Sequence, residues 1–269
     1  MNLDIRKYYD EQHGLLKNNP LIGMEAQHAS QQLTGLYFTA CAIGAVEPDH
    51  EIIGKLIERY KGFWNELKFI PRTISYVMTE DMKKEAKGDV WKFEEDLVFY
   101  SNPDVRGYWI NTAVSHSQLM FLIMGLWFNH HPESTERYFG RDILEKVIQD
   151  GWSIKYQGNT VPSGYFAPFG VQAIKRCCIG RILGVNPGWL SKLWLSTVGM
   201  WGDGLDDNDR LNCCYWLWFL AKLGQERDFK AWFPKHKGKL IETARTDFNN
   251  TNDGDRLKDT LNLRILEEM

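Results

Sequence analysis

The densest chemistry-bearing segment of the chain is Asp203-Gly204-Leu205-Asp206-Asp207-Asn208-Asp209, a glycine turn crowded with carboxylates. Neighbouring carboxylates raise one another's pKa, so one can stay protonated as a general acid while another acts as base or nucleophile. The same oxygens would suit calcium or magnesium, although the D-x-[DN]-x-[DN]-G order of an EF-hand loop is missing. A third use is structural, since carboxylates at a helix start oppose the helix dipole and accept from its free N–H groups. His28 and His116 offer proton transfer near neutral pH, and each also reads as a buried histidine with satisfied partners. Asn252-Asp253-Gly254-Asp255 reads as a turn before the last helix, and the adjacent His130 and His131 would diverge on a helix instead of meeting on one metal.

Polar side chains precede or interrupt each strongly apolar run. Glu25, Gln27, His28, Gln31 and Gln32 lead into Leu33 to Ala45, and Asn111, Ser115, His116 and Gln118 lead into Leu119 to Phe128. Gln172, Lys175 and Arg176 interrupt the next apolar helix, and Asp206, Asp207, Asp209, Arg210 and Asn212 precede Cys213 to Leu220. Helix capping accounts for Asp206 and Asn208. The long amides and imidazoles are better explained as the lining of a cavity where parallel inner helices bring their polar first turns to one mouth. Aromatic residues recur beside them: Tyr108 and Trp109 next to Arg106, Trp152 and Tyr156, Tyr165 and Phe166, and Trp201 just before Asp203.

Flat apolar faces beside amides, Arg and Asp suit a sugar, so the expected function is a glycan-acting enzyme, either glycoside hydrolase or polysaccharide lyase. As a hydrolase, two carboxylates among Glu25, Asp104, Asp203 and Asp207 would flank the glycosidic bond. As a lyase, His116 or Tyr165 would take the proton beside a uronate carboxylate neutralised by Arg106 or Asn111. His28, Gln32, Arg106, Trp109, Asn111, Gln118, Gln172 and Trp201 are the expected substrate-binding residues. The warrant for the enzyme class is analogy with ring-shaped carbohydrate enzymes, and fold analogy alone does not assign function. The competing reading is a non-catalytic helical interaction or assembly protein, whose exposed Trp and Tyr anchor protein partners or a second copy. An aspartate-rich segment with an aromatic cavity is also similar to isoprenoid cyclases, but Asp206-Asp207-Asn208-Asp209 lacks the DDxxD spacing and lies late in the chain, where that family has it early. No nucleophile elbow, phosphate-cradling glycine loop, dinucleotide fingerprint, zinc spacing or HExxH is present, so neither cofactor nor metal is expected.

The elements that must position these residues read as helices. Apolar residues at three- and four-residue spacing recur from end to end, and no Val/Ile/Thr-rich alternating segment of convincing length interrupts them. The pattern predicts helices over His28–Ala45, His50–Glu66, Ile74–Ala86, Tyr108–Phe128, Ser134–Gln149, Gly170–Leu183, Pro187–Val198, Asp209–Leu223, Phe229–Phe233, Lys239–Phe248 and Arg256–Glu268. Loops are expected at Lys87–Gly107 and Gln157–Phe169, and loops of that length tend to cover a site. Strongly apolar helices alternate with charged, amphipathic ones, as buried inner and half-solvated outer helices would. The expected fold is therefore all-α, a ring of helical hairpins (an α/α toroid), with a plain bundle or solenoid as the alternative.

At 269 residues the chain fits one large domain, residues 1–269, with 43% hydrophobic and 13% aromatic content. Net charge is −3 and no Lys/Arg run is long enough to track a phosphate backbone, which argues against nucleic acid. The most apolar run, Leu119 to Phe128, is far below the roughly 20 residues that cross a bilayer. The N-terminus lacks the apolar stretch of a secretory signal, and Cys41, Cys177, Cys178, Cys213 and Cys214 look like buried small hydrophobes, so a soluble, cytoplasmic protein is expected.

Overall fold

The computed structural model describes residues 3–18, 30–80, 82, 90–99, 102–128, 135–250 and 256–269. The chain is mostly helical, with three small antiparallel sheets among the described residues. In order, the elements are β1 (Tyr9–Asp10), β2 (Leu15–Leu16), α1 (Ser30–Ala42), α2 (His50–Leu67), β3 (Ile74–Ser75), β4 (Trp91–Phe99), β5 (Asn102–Asn111), α3 (His116–Phe128), α4 (Thr135–Gln149), β6 (Ser153–Tyr156), β7 (Asn159–Tyr165), α5 (Gly170–Leu183), α6 (Trp189–Ser196), α7 (Val198–Trp201), α8 (Asp207–Lys222), α9 (Arg227–Asn250) and α10 (Arg256–Glu268).

The helix types follow from what each sequence must bury. Helix α1 is buried on most sides, with Leu33, Leu36, Tyr37, Phe38 and Ala40 inaccessible, and α3 is likewise buried from Gln118 to Leu126. These two helices pack backbone on backbone. A Cβ added to Gly35 would lie 2.1 Å from the Phe121 carbonyl oxygen, and one added to Gly125 would lie 2.7 Å from the Gly35 oxygen. Only glycine permits that approach. Helix α2, by contrast, buries one stripe (Ile52, Ile53, Leu56, Ile57, Tyr60, Phe63) and presents charges on the other face. Asp49 caps it, accepting from the Ile52 N–H at 3.2 Å. Helix α4 repeats this design with Phe139, Ile143, Leu144 and Val147 inward.

The middle of the molecule is filled by aromatic side chains. Phe121 of α3 meets Tyr215 edge-on at 5.1 Å and Trp216 at 4.7 Å, both from α8. The Tyr215 hydroxyl donates to Asn262 of α10 at 2.8 Å, and α10 packs back against α1. Helix α5 joins α8 through Cys178, whose thiol donates to the Trp216 carbonyl at 3.6 Å. All five cysteines are free thiols, four of them buried.

The sheets depart from the all-α expectation. Residues 91–99 and 102–111 form a hairpin in place of most of the expected loop, and β3 pairs with β5 where a helix from Ile74 was expected (Ile74 opposite Ile110, Ser75 opposite Trp109). Tyr108 to Asn111, expected as the start of a helix, are strand; Tyr108 and Ile110 face the core and Trp109 the other side, the two-residue alternation of a pleated strand. Helix α3 starts only at His116. Residues 153–165 form a second hairpin where a loop was expected from Gln157. The two short helices expected around residues 229–248 are one, α9, which continues through Pro234. No helix among the described residues is long and apolar enough to cross a membrane.

Candidate functional site

The first turn of α3 is held by a reciprocal cap. The Ser115 backbone N–H donates to the Gln118 side-chain oxygen at 3.0 Å, and the Gln118 N–H donates to Ser115 Oγ at 3.2 Å. Just before it, Asn111 at the end of β5 accepts from the Ala113 N–H at 2.9 Å, and the Thr112 hydroxyl donates to the Val90 carbonyl at 2.9 Å. These bonds set the exit of the strand and fix where His116 and Ser117 sit. On the facing helix, the Gln172 side-chain oxygen accepts from the Ala167 N–H at 2.5 Å, which ties the 166–169 segment onto the start of α5.

One turn further along α5 stands Lys175, 1% exposed. Its Nζ lies 2.6 Å from Ser117 Oγ and 3.0 Å from His116 Nδ1, and 5.3 Å above the centre of the Trp216 ring. Ser117 Oγ and His116 Nδ1 are themselves 3.3 Å apart, and the Phe166 ring packs 5.6 Å from the imidazole. His116 and Ser117 are half-buried, so they stand between the enclosed lysine and solvent. Among the described residues no carboxylate lies within ion-pairing distance of Lys175; its direct polar partners are neutral. A buried charge without a paired charge is costly, and the group responds by giving up its proton more readily. Burial pushes the Lys175 ammonium down to about 7, with the more distant Asp209 carboxylate opposing the fall. Burial and the lysine's charge hold His116 down at about 3, so its imidazole is neutral.

Further aromatic residues flank Phe166 along the chain. Tyr165 and Phe169 are 50% and 54% exposed on either side of the buried Phe166. The Arg176 guanidinium stacks 4.0 Å over the ring of Trp152, whose carbonyl accepts from the Phe166 N–H at 2.8 Å. The β6–β7 hairpin and the 166–169 segment thus place exposed aromatic side chains on either side of Phe166, the ring that packs on His116.

The expected site residues divide accordingly. His116 is in the cluster, whereas Tyr165 is exposed at the end of β7, next to the Phe166 that packs on His116. Asn111, Gln118 and Gln172 are spent on backbone hydrogen bonds that build the site. Trp109 packs against Phe93 at 5.2 Å on the sheet, and Arg106 and Asp104 are exposed on β5. Gln32 is half-buried on α1, while its neighbour Gln31 donates to the carbonyls of Ile70 and Pro71. Trp201 donates its indole N–H to the Trp194 carbonyl at 2.9 Å. His28 and Glu25 lie outside the described residues, as do His130, His131 and the 252–255 turn.

The acidic segment has local work. Asp206 caps α8, accepting from the Asp209 N–H at 2.8 Å. Asp207 pairs with Arg210 at 2.5 Å and with Lys239 at 3.6 Å, and Asp203 meets His236 at 3.0 Å. Among the described residues no group of three His, Cys, Asp or Glu side chains is arranged to hold a metal ion. Ser117 drew no notice in the sequence, and Lys175 only as an interruption of an apolar helix. The available signal was the pair of charges Lys175-Arg176 between Ala173-Ile174 and Cys177-Cys178-Ile179.

A cavity of about 800 Å³ lies elsewhere, against the C-terminal half of α5, with Arg181, Lys192, Arg227 and Asp228 in its wall. None of the cluster residues lines it. No known protein family, curated protein or solved structure matches this chain.

Proposed function

We propose that this chain is an enzyme acting on a glycan, with the His116, Ser117 and Lys175 cluster as its proton-transfer centre and Tyr165 and Phe169 as its sugar-facing surfaces. The observation that carries the reading is the enclosure of Lys175 against Ser117 and His116, with no carboxylate in ion-pairing distance among the described residues. A lysine kept for stability would gain more from a carboxylate partner, whereas a lysine kept as a base must be able to lose its proton near neutral pH. The helical ring belongs to the same proposal: α1 packs on both α3 and α10, as inner helices of a closed ring would.

Of the two glycan chemistries, the two-carboxylate hydrolase draws less support, because Asp207 is paired with Arg210 and Lys239, and Asp203 is in contact with the His236 ring. Base-driven chemistry fits better, with Lys175 removing a proton from a bound hydroxyl or from the carbon beside a uronate carboxylate. The test is thermal-shift screening against neutral oligosaccharides, acylated oligosaccharides and uronates. Stabilisation by one class in wild type, lost in folded Lys175→Met, supports the reading; no shift with any class overturns it.

A second reading is favoured by a separate observation. Trp189, Leu193 and Met200 of α6 and α7 are 75%, 49% and 84% exposed, an apolar ridge of the kind that anchors protein partners. An assembly protein would show a melting temperature that rises with its own concentration, and this concentration dependence would persist in Lys175→Met.

A further inference from the structure

The proton that Lys175 is placed to take is that of Ser117. We propose that Ser117 is an acyl-transfer nucleophile, that Lys175 is its general base, and that the bond cleaved is an ester or amide linking an acyl group to the glycan. This rests on the reading of the cluster as a reaction centre and specifies its substrate as the acylated class.

Three observations converge on it. First, the Ser117 Oγ to Lys175 Nζ distance of 2.6 Å is within direct proton-transfer reach, and the contact joins residues 58 apart in sequence, so it is a product of the fold and not of local chain geometry. Second, the neutral imidazole of His116 is an acceptor at 3.0 Å from Nζ. A neutral amine that donates one N–H to His116 keeps its lone pair free for the Ser117 O–H, so His116 orients the base as the third group of a catalytic triad does. Third, Ser117 lies in the first turn of α3, where the backbone N–H groups of His116 and Ser117 donate to no described residue. Free N–H groups at a helix start, next to the nucleophile, suit the oxyanion of a tetrahedral intermediate.

The chemistry balances with water as the only co-substrate. Oγ attacks the acyl carbon as its proton passes to Nζ; the carbon–oxygen or carbon–nitrogen bond to the sugar breaks, and the departing sugar oxygen or nitrogen takes that proton from Nζ. Water then gives a proton to Nζ and attacks the acyl carbon, the bond to Oγ breaks, and Oγ recovers the proton. The products are the free acid and the deacylated sugar.

The test uses the full chain and a fluorophosphonate probe, which phosphonylates activated serines, with intact-mass and peptide mapping. Wild type gains one probe on Ser117; Ser117→Ala gains none there. Lys175→Met, checked for folding by its melting transition, labels at least about 100-fold more slowly, the usual contribution of a positioned base. If that variant fails to fold, the pH profile of wild-type labelling replaces it: the rate climbs to a plateau between about pH 6 and pH 9 as the amine becomes neutral, where an unassisted serine would keep rising with hydroxide. Absence of Ser117 labelling in folded wild type, or labelling unchanged in Lys175→Met, overturns the inference. A sugar-induced thermal shift without Ser117 labelling overturns the nucleophile and leaves the glycan reading standing. Labelling without any sugar response does the reverse.

Discussion

Replacing Lys175 by methionine should change how stability depends on pH, and the size of the change follows from the burial of Lys175. Methionine fills a similar volume without the charge. In the unfolded chain a lysine holds its proton up to 10.5, whereas in the folded chain Lys175 gives it up at about 7. A base whose folded pKa is depressed costs stability at low pH, where folding must bury the ammonium, and the cost fades as pH rises from the folded towards the unfolded value. Each full pH unit in that window is worth up to about 1.4 kcal/mol. Because Lys175 is half protonated at the lower edge, the rise from pH 7 to pH 9 amounts to about 2 kcal/mol. Lys175→Met lacks this term, so its stability advantage over wild type should shrink by about 2 kcal/mol between these pH values. The groups that face Lys175 are His116 of α3, which is neutral throughout the window, Cys178 of α5, whose thiol burial holds well above its ordinary range, and Asp209 of α8. Other titrating thiols and phenols act on both proteins and cancel in the difference. Urea unfolding followed by tryptophan fluorescence at the two pH values measures it. A wild-type to variant gap that does not move with pH would refute the buried, proton-releasing lysine.

Gly35→Ala should destabilise by about 3 kcal/mol or more, since its methyl group would enter the Phe121 backbone and force α1 away from α3; the urea midpoint reads this directly. Ser115→Ala removes one half of the cap on α3 and should cost about 1 kcal/mol, with slower probe labelling of Ser117 as the first turn loosens. Asp207→Ala, although it removes the carboxylate most suggestive in the sequence, takes the ion-pair partner from the buried Arg210, which keeps the Leu205 carbonyl, so it should destabilise by about 1 to 3 kcal/mol while Ser117 labelling is unchanged. A labelling defect in Asp207→Ala would return the acidic segment to the reaction centre.

The helices were readable from the sequence because their causes are local. The stripe of Ile52, Leu56, Tyr60 and Phe63, the caps at Asp49 and Asp206, and the positive φ of +72° that suits Gly184 at the end of α5 all lie within a few residues of what they determine. The hairpin of β4 and β5 was not readable. Glu94, Glu95 and Asp96 interrupt its apolar alternation, and its register also depends on β3, contributed from residues 74 and 75. Strand pairing is a non-local choice, and Tyr108 to Asn111 took the helical reading of the segment they run into. The site divides the same way. That His116 opens a polar first turn is visible in the chain, and so are the charges of Lys175 and Arg176 in an otherwise apolar helix. That the two meet, with Ser117 between them and Trp216 beneath, depends on α3, α5 and α8 packing together, and burial of that meeting point is what lowers the lysine's hold on its proton. Sequence determined the amphipathic periods and the caps, which are short-range; only tertiary structure decided which polar residues were enclosed, because solvent exclusion is a property of the assembled helices.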